Sequence, residues 1–300
     1  MTTKAKNFSP LLILSILLTL CIGCHLAKTS PRPAPVDLSL DEIIKNYNDN
    51  FYKIPKLKAT ISQWTLDFVE PIANEQGELE NKYHHYNELG GVLFFKPGID
   101  EDDRGSFYLQ TRAPANPEAL VIASNENEFW MYTLTGKFGF WGKYKDLGKL
   151  NTEDMFFDPQ LLLDFIGWRP LNSKAVRPAY KIFPEKNILE CIEFDGRGLR
   201  IAREIIFDRY TNLPTEINGY SWDGQLVIHS QLDNYIEFGD DKALVPTKIL
   251  ISFPVKESSM LIRLDKYRPS TRDKTSLFSR PESIEGVDDY RQITDDNINY

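Results

Sequence analysis

The spacing of apolar residues divides the chain into one helical stretch and a long region of alternation. Between residues 40 and 53, apolar side chains recur every three or four positions, which places them on one helical face. Ser39 and Glu42 have the spacing of a capping box, and Pro55 follows the predicted end. We therefore predict a helix here, with an apolar stripe that another element must cover. The stripe consists of Leu40, Ile43, Ile44, Tyr47 and Phe51.

From residue 57 onward the apolar period is two, which is the period of half-buried strands. The phase changes at Ser62 and Gln63 without a turn residue, so we predict a β-bulge there. Polar segments such as 125–128 and 223–224 predict hairpin turns. The apolar or alternating runs of the first region are 57–61, 64–68, 91–95, 107–111, 120–123, 129–134 and 138–144. A second region of alternation covers 179–267 and contains the runs 199–207, 226–232, 249–253 and 260–264.

One short apolar helix interrupts the alternation. Asp158 suits the N-cap, Pro159 the first helical position and Gly167 the C-terminal cap, so we predict a helix over 159–166. The count is then about ten or eleven strands and two helices, and a twisted sheet of that size curls to hide its apolar face. The sequence predicts a mainly β fold with an α lid: a half-open antiparallel β-barrel covered by short helices.

The first 23 residues have the pattern of a bacterial secretory signal. An apolar run from Leu11 to Leu20 follows two lysines and is shorter than the ~20 residues needed to span a bilayer. Gly23-Cys24 then resembles a lipobox, so we predict that Cys24 is lipidated; an ordinary secretory signal is the alternative. The predicted divisions are the signal peptide (1–23), a lipidated N-terminus with a Pro-rich tether (24–37), the β-barrel domain (38–285) and a polar C-terminal tail (286–300).

The net charge limits the kinds of partner that the protein can bind, and the cysteine count limits the disulfides that it can form. The 300-residue chain has 35 basic and 43 acidic residues, and removal of the signal leaves 33 basic against 43 acidic residues, a net charge of −10. Such a surface repels polyanions, which argues against nucleic acid as a partner. After Cys24 the chain has one further cysteine, Cys191, so the sequence predicts no intramolecular disulfide framework.

No motif in the sequence points to catalysis, a metal or a cofactor. Residues 136–143 resemble a phosphate loop but have five residues, not four, between the outer glycines. Residues 100–105 resemble the start of a calcium loop, but Arg104 occupies a ligand position. His84 and His85 are adjacent, so on a strand they point to opposite faces and cannot both bind one metal. We predict a non-enzymatic protein; a hydrolase with two carboxylates in a cleft remains an alternative.

Six segments, taken in order, form a recognisable set: DEIIKNYNDNFYKI (41–54), LKATISQWTLDF (57–68), GGVLFFKPG (90–98), EFWMY (128–132), FDRYTNLP (207–214) and LVPTKI (244–249). The set resembles the lipoprotein-carrier superfamily, which includes the LolA and LolB proteins and the periplasmic sensor RseB. The resemblance covers roughly residues 38–285, although the first helix holds only Lys45 where the carrier has a lid-locking arginine.

This resemblance implies an incompletely closed β-barrel with a helical lid and an apolar cavity for the acyl chains of lipids or lipoproteins. It implies no enzyme activity. With an anchor at Cys24, the protein would face the periplasm and act in lipoprotein or lipid trafficking. His25 stands where aspartate would favour inner-membrane retention, so the outer membrane is the predicted location. An RseB-like envelope sensor or protein-interaction module without transfer activity is the alternative.

The predicted cavity is lined by apolar residues that alternation and helical spacing place on the inward faces. A one-residue register error would exchange the two faces of a strand, which makes this prediction sensitive to bulges. The predicted lining residues are Ile43, Tyr47, Trp130, Tyr132, Leu162, Phe165, Ile201, Ile205, Phe207, Ile228 and Ile251.

Overall fold

The computed structural model describes most of the chain from residue 34 to residue 293. The described ranges are 34–73, 79–100, 103–113, 116–134, 137–149, 159–171, 177–194, 199–270 and 275–293. The predicted signal, Cys24, most of the tether and Asp158 lie outside these ranges. Within the described ranges, every helix is too short or too polar to cross a bilayer.

The first helix, α1 (Leu40–Tyr52), forms where the spacing predicts it. The Glu42 amide donates to the Ser39 hydroxyl at 3.3 Å, and the Ser39 amide donates to the Glu42 carboxylate at 2.8 Å. The predicted capping box is therefore confirmed, and it satisfies two backbone donors that the helix itself leaves unpaired. The buried positions recur at intervals of four residues and are Ile43, Tyr47 and Phe51.

The second helix, α2 (Pro159–Phe165), ends one residue earlier than predicted. Gly167 follows with φ of +74°, the left-handed conformation expected of a residue just past a helix end. The Trp168 amide donates to the Leu163 carbonyl at 2.9 Å, which closes the last turn. The chain therefore turns sharply after α2, as the glycine predicts.

The strands of the described residues form one sheet of fourteen. Three short 3-10 helices complete the described regular structure: Tyr144–Lys149, Pro254–Lys256 and Thr275–Phe278. The strands are β1 (Leu57–Ala73), β2 (Leu79–Lys96), β3 (Ser106–Ala113), β4 (Asn116–Ser124), β5 (Glu128–Thr133), β6 (Phe138–Lys143), β7 (Arg177–Ile182), β8 (Lys186–Phe194), β9 (Leu199–Asp208), β10 (Pro214–Tyr220), β11 (Leu226–Phe238), β12 (Ala243–Phe253), β13 (Ser258–Pro269) and β14 (Asp289–Gln292). Their order is β14-β6-β5-β4-β3-β2-β1-β13-β12-β11-β10-β9-β8-β7, so the described sheet is open, with β14 and β7 at its two ends.

The mainly β fold with a small helical part is confirmed, but the sheet is larger than predicted. Fourteen strands replace the predicted ten or eleven, and β14 runs parallel to β6, so the sheet is mixed. β14 also lies within residues 286–300, the predicted tail. Its sequence, Asp-Tyr-Arg-Gln, has no apolar alternation, so the pattern does not predict a strand there.

The pairing of β1 confirms the predicted β-bulge. The register with β13 shifts between Ile61 and Gln63, and the register with β2 shifts between Ile61 and Trp64. Ile61 and Trp64 would point to opposite faces of a regular strand, yet both are buried in the same core. The bulge therefore explains the change of phase in the sequence.

The two faces of the sheet are covered differently. The face that carries α1 and α2, here called the inner face, bears the main core. The opposite or outer face bears a smaller cluster, which is covered by the C-terminal strap, defined as residues 275–293. Strap residues that pack on this cluster are Leu277, Phe278, Ile284 and Val287.

Polar contacts fasten the C-terminal strap to the first half of the sheet. The Arg280 guanidinium lies over the Trp141 ring, 3.8 Å from its centroid, and Arg280 Nε donates to Glu128 at 3.1 Å. The Asn125 side chain donates to the Phe278 carbonyl at 3.0 Å. The same Asn125 lies in the β4–β5 turn, where its amide donates to the Glu128 carbonyl, as the predicted hairpin requires.

Candidate functional site

Eight of the eleven predicted cavity residues meet in the core between the two helices and the inner face. Tyr47 of α1 packs edge-on against Phe207 of β9, with ring centroids 6.1 Å apart. All eight side chains are buried, so the protein's own side chains pack this region. The eight are Ile43, Tyr47, Leu162, Phe165, Ile205, Phe207, Ile228 and Ile251.

Trp130 and Tyr132 lie in the outer-face cluster instead, beneath the strap. On β5 it is Met131 that joins the main core, so the strand has the opposite phase to the one predicted. The physical reason is that four consecutive residues of β5, 129–132, are buried. An apolar run buried on both faces does not reveal which side faces the helices.

Ile201 also lies apart from the other predicted residues and is 37% exposed. Cys191 and Ile192 are consecutive on β8, yet they pair with Arg203 and Ile201, which leaves one extra residue on β9. This bulge exchanges the faces of β9 at its start. Ile205 therefore shares the inner face with Arg203, while Ile201 points to the outer face.

Two asparagine side chains attach α1 to neighbouring backbone on either flank of its apolar stripe. Asn48 accepts a hydrogen bond from the Leu171 amide at 2.8 Å and donates to the Leu171 carbonyl at 3.1 Å. Asn50 makes the same pair of bonds with Leu244 of β12, at 2.8 and 2.9 Å. Residues two apart on a helix are separated by about 200°. The two amides therefore hold α1 from both sides.

The helix α2 is attached to the sheet by a carboxylate and by its last carbonyl. Asp164 Oδ1 accepts from Arg203 of β9 at 2.8 Å, and Asp164 Oδ2 accepts from Arg169 at 3.2 Å. The buried Ser230 hydroxyl of β11 donates to the Phe165 carbonyl. These contacts connect α2 to two strands of the inner face.

The ion pairs fix the protonation states around Asp164. Burial by itself would raise the pKa of Asp164, but the nearby guanidinium groups of Arg169 and Arg203 hold that pKa below its usual range. Burial raises the pKa of the Cys191 thiol and of the Tyr47 phenol. At neutral pH Asp164 is therefore ionised, while Cys191 and Tyr47 are uncharged.

A pocket of about 310 Å³ opens beside the two helices. It lies between the end of α1, the turn after α2, and the β9–β10 and β11–β12 hairpins. Tyr47 and Trp168 line it and also belong to the main core, so the pocket reaches that core. Its volume is at the lower end of the ~300–1,000 Å³ usual for ligand pockets.

Two buried polar atoms on the pocket lining have no hydrogen-bond partner among the described residues. Trp168 is 1% exposed and its indole nitrogen is unpaired; the second atom is the acceptor Asn212 Oδ1. Buried polar groups are nearly always hydrogen-bonded, because an unpaired one costs about 1–3 kcal/mol. The unpaired donor marks the pocket as a place where water or a ligand would improve the local hydrogen bonding.

Sequence reasoning did not single out the polar residues that attach the helices. Two of them carried a signal. Asp164 is an acid within the apolar segment Leu161–Phe165, and Arg203 follows the same alternation as Ile205 and Phe207. A charge at an inward position predicts a partner, because a buried charge is costly unless it is paired. Asn48 and Asn50 gave no such signal, since asparagine is common on exposed helix faces.

No protein-family model matches the chain, and no curated protein matches it. Among solved structures, the chain is similar to a domain from Vibrio parahaemolyticus that is named for outer membrane lipoprotein sorting. The similarity has a TM-score of 0.51 at 13% sequence identity, and it covers 79% of this chain and 94% of that chain. The chain shares the fold of that domain. The fold that the predicted resemblance implies is thus confirmed.

Two further structures match this chain with lower TM-scores. A LolA superfamily protein from Nitrosomonas europaea is 11% identical, with a TM-score of 0.47, over 81% of this chain and 99% of that chain. The MucA/MucB complex structure from Pseudomonas aeruginosa gives 10% identity and a TM-score of 0.20, over 76% of this chain and 98% of that chain. Identities this low concern the fold alone.

Proposed function

We propose that the protein binds an acyl chain of a lipid or lipoprotein between its two helices and the inner face of the sheet. The observation that carries this proposal is the way in which α1 and α2 cover the inner face of the sheet. An apolar inner face lies under two short helices that are attached through a few polar contacts, and a pocket reaches the core between them. The side chains of α1 and α2 fill the space in the closed form, so binding requires the helices to move outward.

The energy of acyl burial supports this proposal. Each methylene group removed from water contributes about 0.8 kcal/mol. A chain of sixteen carbons therefore gains roughly 12 kcal/mol, an upper value because binding also costs entropy. The hydrogen bonds that hold α1 and α2 contribute about 0.5–1.5 kcal/mol each. Acyl burial thus exceeds the cost of breaking several of these contacts, without any specific polar recognition.

The proposed setting is the outer membrane, with the folded domain in the periplasm and a lipid anchor at Cys24. Stable attachment needs two hydrophobic signals, and the several acyl chains of a bacterial lipoprotein anchor satisfy that requirement. For the Cys24→Ser variant we expect loss of acyl labelling and release from the membrane fraction. Acyl labelling and membrane attachment that persist in this variant would contradict the assignment.

Native mass spectrometry of protein extracted from membranes tests acyl binding directly. We expect a fraction of molecules to carry an extra mass that matches a lipid, and the delipidated protein to take up an added fluorescent fatty acid. The Cys24→Ser variant serves as the matched protein, because its own anchor cannot be mistaken for a ligand. Lipid-free protein that takes up no probe would contradict the proposal.

A second candidate function is that of an envelope sensor or interaction module, and the free edge of the sheet favours it. β7 ends the described sheet, with Ile182 55% exposed and, just beyond it, Phe183 41% exposed. An open strand edge with apolar side chains is suited to pairing with an extended segment of another protein. Protection of the β7 amides by an envelope protein, with no lipid uptake, would favour this second function.

A further inference from the structure

We propose that the three arginines beneath α2 form a binding site for the anionic end of the acyl ligand, and that Asp164 occupies this site in the ligand-free protein. The inference rests on the proposed acyl binding and adds the chemical class of the ligand: a lipid that ends in a carboxylate or a phosphate. The arginines are Arg104, Arg169 and Arg203, here called the arginine cluster.

The first step of the argument is the position of the arginine cluster on the inner face. Arg203 shares the inner face with Ile205 by simple alternation; it pairs across strands with Cys191 and donates to Asp164 at 2.8 Å. Arg169 comes directly after the turn that ends α2 and binds the other carboxylate oxygen. Arg104 acts electrostatically on the same carboxylate and lies over the Tyr144 ring at 4.5 Å.

The second step is the balance of charge. Among the described residues, Asp164 is the carboxylate that both Arg169 and Arg203 contact, and the other groups that act most on Arg203, Cys191 and Tyr47, are uncharged. The three side chains of the ion-pair group are only 19–26% exposed. Counted over the residues that the structure describes, this partly buried site has more cations than anions, so its charge is incompletely compensated. An additional or replacement anion would therefore be stabilised there.

The third step is the relation to the apolar core. Asp164 lies between Leu163 and Phe165 in the chain, and Leu163 and Phe165 are buried in the main core. Gly219 pairs with Arg203 in the sheet, and it also lies against the Phe165 ring. The arginine cluster is thus at the border of the apolar space that the ligand would enter. Arginine pairs with carboxylate and phosphate through two parallel hydrogen bonds, which suits both headgroups.

Displacement follows from these positions. When α2 moves outward to admit an acyl chain, the Asp164 carboxylate leaves Arg203, and the ligand's anionic group takes its place. The exchange replaces one charge-assisted pair by another, so the arginine is not left unpaired in either state. A neutral lipid would lack this compensation and would bind more weakly.

The test compares a fluorescent fatty acid, cis-parinaric acid, with its uncharged methyl ester. For the wild type we expect the acid to bind more tightly than the ester. In Arg203→Gln the affinity for the acid should fall by about tenfold or more while that for the ester changes little, since a charge-assisted hydrogen bond is lost. In Asp164→Asn the affinity for the acid should rise by about tenfold, because the competing carboxylate is absent.

Two further variants keep the experiment decisive. The double variant Asp164→Asn/Arg203→Gln removes both charges together, so it replaces the single Arg203 variant if the latter does not fold. Arg263→Gln alters an exposed arginine of β13 and should leave both affinities unchanged. Competition by palmitate and by a palmitoyl lysophosphatidic acid then shows which anionic group, carboxylate or phosphate, is preferred.

The outcomes separate this inference from the proposed function. If neither probe binds the wild type, acyl binding itself is contradicted. If the acid and the ester bind equally well to the wild type, and the ratio of their affinities is unchanged in Arg203→Gln and in Asp164→Asn, acyl binding stands and the anionic site is overturned. A loss of acid binding in Arg263→Gln equal to that in Arg203→Gln would also overturn it, because a general charge effect would then explain the data.

Discussion

Replacement of Asn50 by alanine should release one flank of α1 without unfolding the sheet. The Asn50 amide makes two bonds with Leu244 of β12, at 2.8 and 2.9 Å, and the alanine variant loses both. It also leaves the Leu244 N–H and C=O without these partners. The apolar stripe of α1 stays intact, so the change acts on the attachment of the helix rather than on its core.

The expected loss can be worked out from these contacts. A hydrogen bond between neutral groups contributes about 0.5–1.5 kcal/mol net, so two bonds contribute about 1–3 kcal/mol. Leu244 is only partly buried, and water can replace part of the lost bonding, which favours the lower half of this range. A loss of about 1–2 kcal/mol raises the population of the open state by roughly 5- to 30-fold.

Hydrogen exchange measured by mass spectrometry detects this change. In Asn50→Ala the protected amides of α1 should exchange roughly 5- to 30-fold faster, while those of β11 and β12 keep their wild-type rates, except for the Leu244 amide, which loses its own partner. Asn46→Ala is the matched control, because Asn46 is exposed on the same helix. Equal acceleration in both variants, or acceleration throughout the sheet, would show that α1 has no separate opening step and would refute the reasoning.

Three further variants test other parts of the structure. Asp164→Asn should lower stability at pH 7 by about 1–3 kcal/mol; because the pKa of Asp164 is lowered in the fold, melting curves should show the full difference above about pH 4 and a shrinking one below it. Gly219→Ala should cost about 1–3 kcal/mol in urea unfolding, since the added Cβ would lie 2.5 Å from Phe165; an unchanged midpoint would contradict this packing. Arg280→Ala should speed proteolysis of the C-terminal strap, because it loses Glu128 and the Trp141 ring, about 1 kcal/mol together; unchanged cleavage would mean that the apolar contacts alone hold the strap.

The sequence predicted elements well where a local rule acts. The capping box at Ser39 and Glu42 fixes the start of α1, and Gly167 fixes the end of α2. The bulge in β1 was predictable because the apolar phase changes on both sides of it. Such features depend on residues close together in the chain, so one sequence is enough to find them.

The errors arose where faces depend on distant partners. Trp130 and Tyr132 were assigned inward because the sequence does not show that a C-terminal strap covers the outer face. Ile201 is predicted inward because the apolar residues keep one phase, 199, 201, 205 and 207, across the β9 bulge, so the pattern shows no break. β14 is not predicted because its four residues show no apolar alternation. In each case the deciding contact joins segments far apart in the chain.

The manner in which the helices are attached bears on ligand exchange. If an acyl chain replaces the side chains of α1 and α2 on the inner face, apolar surface stays out of water before and after the exchange, so little net hydrophobic energy is lost. The energy that opposes opening then comes mainly from the polar contacts of Asn48, Asn50, Asp164 and Ser230. The contacts of Asn48, Asn50 and Asp164 are only part-buried, so water can replace the lost partner when each one opens. If only apolar side chains attached the helices, the same contacts would both hold the helices and cover the sheet, and the two roles could not be separated. The polar residues, more than the apolar ones, should therefore set how readily the protein takes up and releases a ligand.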